Sequence, residues 1–127
     1  MLSENTVVRV RKAVERLYTD VCDVVERRDY YVDPKTKITR KNQEVKVYEN
    51  LPCRISFETV KAAAETESVS NVEQSVKLFV SPDVDIKSGS KVIVNRGGNI
   101  VEYSASGEPA VYSSHKEILL KIFKEWA

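Results

Sequence analysis

Apolar positions change their period once, sharply, along this chain. Val7, Val10, Ala13, Val14, Leu17 and Tyr18 recur at helical spacing. Ser3 or Asn5 stands where an N-cap belongs. The spacing predicts an amphipathic helix over residues 3–19, with Arg9, Lys12 and Arg16 on its other side. Its apolar stripe is expected to pack on the rest of the domain or on a neighbouring subunit. After Asp20 the period falls to two. "VCDVVERRDYYV" is rich in valine and tyrosine, which suit a pleated surface, so a strand is expected from 21 to 31. "DPKT" at 33–36 reads as a turn, because Pro34 fixes φ and Asp33 can bond the following backbone. "ITRKNQEVKVYE" follows as a second strand, and its polar middle reads as an exposed hairpin arm.

Cys53, Ile55 and Phe57 then alternate with Arg54, Ser56 and Glu58, a third strand with one apolar face. "TVKAAAETESVSNVEQ" has no strand pattern and reads as a long polar loop over 59–74. Val76, Leu78 and Val80 resume the alternation. "KVIVN" and "IVEYSA" flank "RGGN", whose glycines allow the positive φ of a hairpin turn. "SGEP" at 106–109 reads as another turn. Ile118, Leu120 and Ile122 alternate as a strand does, although Ile118, Leu119, Ile122 and Trp126 also fit a helix. The strand is preferred because the segment closes a run of hairpins. One helix followed by about six to eight short strands predicts a single mainly β domain over 1–127. The expected form is a small β-barrel or sandwich over 21–127, with long loops and one N-terminal amphipathic helix.

Composition narrows the function more than the fold. With 127 residues, 42% hydrophobic and 31% charged, the chain can bury one core without staples. A net charge of +1 exerts no global pull on nucleic acid or anionic membrane. No apolar run approaches the roughly 20 residues that span a bilayer, so no membrane partner is expected. The N-terminus lacks the apolar region of a secretory signal, and a cytoplasmic setting is expected. There Cys22 and Cys53 read as reduced thiols packed like small hydrophobes. A zinc site wants more ligands than these two and the lone His115.

The stretch with most chemical promise is "SPDVDIKSGSKVIV" at 81–94, where Asp83 and Asp85 stand one residue apart. A hard cation needs around six oxygen ligands, and no such series follows. The plainer reading is a β-corner: Ser81-Pro82 ends a strand, both aspartates bond loop amides, and Ile86 drops inward as a plug. His115 follows two serines, but "YSSH" is not a nucleophile elbow. "RGGN" lacks the lysine and the strand-to-helix setting of a phosphate loop. No catalytic, cofactor or metal residues are therefore assigned, and the chain is read as a non-enzyme. An enzyme built on Asp83, Asp85 and His115 is the remote alternative. A nearer one is an oligonucleotide-binding barrel for single strands, using Tyr30, Tyr31, Tyr48 and Tyr103 as stacking platforms. Interleaved acids, as in "VERRDYY", weaken it.

"NLPCRISFE", then a polar stretch, then "VKLFVSPDVDIKSGSKVIV", then "IVEYSASGEPAVYSSHKEI" resembles the small head-closure (stopper, or head–tail connector) proteins of tailed bacteriophages. The resemblance runs over roughly residues 45–120, and is closest to proteins of Bacillus PBSX-type defective prophages. It implies a small β-barrel whose copies form a ring beneath portal and adaptor rings, closing the DNA channel and offering a docking face to the tail. The implied partners are further copies of the chain, portal or adaptor proteins, tail proteins and, transiently, DNA. The implied location is the host cytoplasm during assembly and then the phage or phage-like particle. By the same resemblance, the polar stretch is the candidate channel loop, with Thr59, Lys61, Glu65, Glu67, Asn71 and Glu73. The basic side of the helix, Arg9, Lys12 and Arg16, lies outside the resemblance and is the candidate docking face, able to contact DNA or an acidic partner.

Overall fold

The structure, a computed structural model, describes residues 3–61 and 72–126. A helix, α1 (Glu4–Glu15), precedes six strands: β1 (Asp20–Val32), β2 (Thr39–Lys61), β3 (Val72–Val80), β4 (Lys91–Arg96), β5 (Asn99–Val111) and β6 (Lys116–Ile122). The strands close in the order β1-β2-β3-β6-β5-β4, every pair antiparallel. This is the mainly β barrel with one N-terminal helix that the periodicity predicts. Inward alternation builds the core from Cys22 and Val24 on β1, Cys53 and Ile55 on β2, and Leu78 and Val80 on β3. Val92 and Val94, Tyr103 and Ala105, and Ile118 and Leu120 complete it. The C-terminal segment is a strand, as preferred.

Closure rests on one pairing that no local pattern announces. β1 returns to β4 through Val21↔Asn95 to Val25↔Lys91. The "RGGN" hairpin forms as expected: Gly97 and Gly98 take φ of 56° and 96°, and the Gly98 N–H donates to Asn95 Oδ1 at 2.9 Å.

Three expectations change. The second and third predicted strands are one strand, β2, because Asn50 turns left-handed at φ 52° and its N–H donates to Asp23 Oδ1 at 2.8 Å. Pro52 is tolerated within it because β3 joins β2 only from Arg54 onward, so the missing N–H leaves no rung unmade on that side. "SGEP" is not a turn between strands but an irregularity inside β5, between Ser106 and Ala110, with Gly107 at φ 71°. The sheet also runs into the predicted loop from both sides. Thr59 pairs with Gln74, Val60 with Glu73 and Lys61 with Val72.

β2 thus spans the barrel and leaves it at both ends. Among the described residues, β1 and β2 pair beyond Val25 only with each other, forming an arm from Glu26↔Val45 out to Val32↔Thr39. At the other end β2 and β3 continue past the last β3–β6 pair, Val76↔Leu120, as a second two-stranded hairpin.

Candidate functional site

The two ends of the barrel carry the surfaces that the sequence singles out. At the arm end, residues 81–90 form the corner that plugs the barrel. Val84, Ile86 and Ser90 are buried. The Val84 N–H donates to Ser81 O at 3.1 Å, the Gly89 N–H to Ala105 O at 2.8 Å, and Lys116 Nζ reaches Val84 O. The aspartates work differently from expectation. The Asp83 carboxylate accepts from Arg11 at 2.7 Å, and the same guanidinium reaches Ser81 Oγ at 3.0 Å. Asp85 contributes its N–H, which donates to the Tyr48 hydroxyl at 3.0 Å. The pair therefore ties the corner to α1 and to β2. It is a structural joint, with one carboxylate spent on a guanidinium that sequence reading did not single out.

Among the described residues the other end is open. Asp20, Phe57, Arg96 and Val101 share the inward alternation of the core but stand at the rim of a cleft of about 820 Å³. Asp20 Oδ2 accepts the Ile55 N–H at 3.2 Å and lies 3.7 Å from Arg96 Nε. The Arg96 guanidinium sits 5.0 Å from the centre of the Phe57 ring, within cation–π range. Tyr103 forms the floor, and burial pushes its phenol up while Arg96 opposes. Phe57, on the apolar face with Cys53 and Ile55, is 42% exposed because no described residue covers this end. Alternation alone could have marked Asp20 and Arg96, since a charge at an inward position is unusual.

The candidate channel residues divide. Thr59, Lys61 and Glu73 belong to the outermost rungs of the β2–β3 hairpin. Glu65, Glu67 and Asn71 lie outside the described residues. The candidate docking residues Arg9, Lys12 and Arg16 are all exposed. The helix differs from expectation. It spans Glu4–Glu15, capped by Ser3, whose Oγ accepts the Thr6 N–H at 3.2 Å, and none of its residues is buried. Val8, Val10 and Leu17 are exposed, while Val7 and Val14 are half-buried. The barrel turns its apolar side chains inward and, apart from the Arg11 tie to the corner, meets Val14, Leu17 and Tyr18 in a shallow contact around Arg54, Phe79 and His115. The Tyr18 hydroxyl is buried there without a hydrogen-bond partner.

His115 belongs to that contact. Its Nδ1 is 2.9 Å from Ser114 Oγ and its Nε2 2.9 Å from Glu117 Oε2, with Tyr112 stacked on the ring at 4.8 Å. Its hydrogen-bond partners are thus Ser114 and Glu117 rather than Asp83 or Asp85. The described tyrosine side chains do not form a common platform: Tyr103 is in the core, Tyr48 is tied to the corner, and Tyr30 stands exposed on the arm, while the side chain of Tyr31 lies outside what is described. Cys22 and Cys53 are free and buried. A hydrogen bond with Cys53, reinforced by burial, pushes the Cys22 thiol up, so it stays protonated.

No family model matches the chain, and no curated protein matches it. A similar solved structure is the phage-like element PBSX protein xkdH from Bacillus subtilis. It is 12% identical, with 81% of this chain and 93% of that one covered at a TM-score of 0.46. Likeness of that degree fixes no role.

Proposed function

We propose that this chain is a structural protein of a phage or phage-like particle, a subunit of the head–tail connector ring that closes the DNA channel and docks the tail. The observation that carries the reading is the β2–β3 hairpin. Among the described residues it continues beyond the open end of the barrel as a two-stranded ribbon, and its outer rungs, Thr59↔Gln74 to Lys61↔Val72, belong to the two ends of the polar stretch. In a ring, hairpins of this kind from successive copies converge on the axis. A polar segment blocks a channel without sticking to it, because it offers little apolar surface to hold a partner. The net charge of +1 suits a DNA conduit, since many fixed cations would retain the DNA through counterion release. Arg9, Lys12 and Arg16 supply an exposed basic face for a neighbouring ring.

Reversal of those three charges to glutamate tests the reading. The melting temperature should hold, because exposed charges carry little stability. Docking to the particle should fail, because complementary charge sets encounter and partner choice. A stable variant that still completes tailed particles would reduce this face to solvated surface. Salt-dependent single-strand binding would favour the oligonucleotide reading instead, although the scattered tyrosines give it little support.

A further inference from the structure

We infer that the C-terminal segment 123–126 is a strap that holds the β1–β2 arm at a set angle to the barrel, with Trp126 fastened to Glu44. The arm needs such a support. Its strands pair only with each other beyond Val25, and a lone two-stranded ribbon is marginal in water. Its root is built to bend. The register of β1 against β2 is irregular between Cys22 and Val24 and again between Val24 and Val25, near the left-handed Asn50 on β2.

The strap supplies the missing contact. After β6 the chain crosses β5, where the Phe123 N–H donates to Glu102 O at 3.1 Å. Phe123 and Trp126 meet edge to face at 5.3 Å, with Lys91 Nζ 4.7 Å and 5.4 Å from their ring centres. Trp126 Nε1–H donates to Glu44 Oε1 at 2.9 Å, and Lys91 Nζ lies 3.2 Å from the same oxygen and 3.7 Å from Glu102. Glu44 is an arm residue, paired with Arg27. One carboxylate oxygen therefore gathers a donor from the tail and a cation from the barrel wall. The Lys91 side chain is only 12% exposed and packed among these partners, whereas Glu44 is half-exposed and accessible to a competitor. A cleft of about 440 Å³, between Arg27 and Asp29 of the arm, the Lys87–Ser90 turn and Trp126, gives the arm room to swing. A partner that takes Trp126 or Glu44 frees the arm.

Hydrogen exchange on the full chain tests this without reference to any particle. Trp126→Ala should speed exchange in peptides covering 26–32 and 39–46 by about tenfold, with β4 and the 99–105 part of β5 unchanged. Trp126→Phe keeps a ring over Lys91 but lacks the N–H, and should fall between. Glu44→Gln should shift the emission of Trp126, the single tryptophan, to the red. Arm exchange unchanged in both Trp126 variants would overturn the strap. So would an equal rise across arm and barrel, which reports general destabilisation. If Trp126→Ala fails to fold, Trp126→Phe and Glu44→Gln decide the question.

Discussion

At the end of the barrel where β3 gives way to residues 81–90, Val84 and Ile86 turn inward and are 6% and 2% exposed. At the opposite end Phe57, Val101 and Ile122 share the inward alternation of their strands and remain 42%, 39% and 59% exposed. A two-residue period decides which way a side chain points. What caps the stave decides whether it is buried. The plugged end has a corner held by Arg11, Tyr48 and Lys116. The open end has a charged pair and a hairpin that leads away from it.

The largest effect that sharpens this contrast is truncation at matched inward positions. Ile86→Ala should cost about 2–4 kcal/mol, as a fully buried aliphatic does. Ile122→Ala should cost under about 1 kcal/mol. Equal losses in denaturant titrations would erase the distinction between the ends. Charges follow the same rule on a smaller scale. Asp20→Ala leaves the Ile55 N–H and Arg96 without their acceptor at a buried site, and should cost about 1–3 kcal/mol. Asp83→Ala breaks a shorter ion pair with Arg11, yet should cost under about 1 kcal/mol because its carboxylate is mostly in water. A reversed order would mean that the corner, not the rim, depends on its carboxylate.

The smallest effect is in the core between the ends. The raised Cys22 thiol keeps a proton that the unfolded chain gives up above about pH 8.5. The folded state then binds more protons than the unfolded one. The thiol's contribution is therefore full below that pH and declines as pH rises further. Unfolding free energy should fall between pH 7 and 9.5, and fall less in Cys22→Ala. Parallel slopes would show that the thiol pair does not drive the decline.

The residues that were legible are those whose neighbours in sequence are their neighbours in space. Ser3 caps α1, Gly97 and Gly98 turn the β4–β5 hairpin, and Ile86 plugs its own corner. Alternation places the inward faces of β3 and β6 because Leu78, Val80, Ile118 and Leu120 on them meet core. Gly107 within "SGEP" misleads because a turn-forming residue can bulge a continuous strand as readily as end it, and Asn50 twists β2 without breaking it. The helical stripe was correctly periodic but overstated, since amphipathic spacing says which face would be buried and not whether a surface is there to cover it. Arg11 to Asp83, Asp20 to Arg96 and Trp126 to Glu44 were not legible. Each joins residues more than 70 positions apart, and no local pattern encodes such a meeting. The channel residues rest on resemblance and the docking residues on the basic face of the helix, and the test of either role is assembly rather than fold.

Assembly in the absence of this chain is the most direct measurement of the central claim. Particles made by a host strain from which its gene has been removed should be examined by electron microscopy, with and without the purified chain added back. The connector account predicts packaged heads that lose DNA and carry no tails, with addition of the chain restoring tailed particles. Tailed, DNA-retaining particles formed without the chain would contradict it.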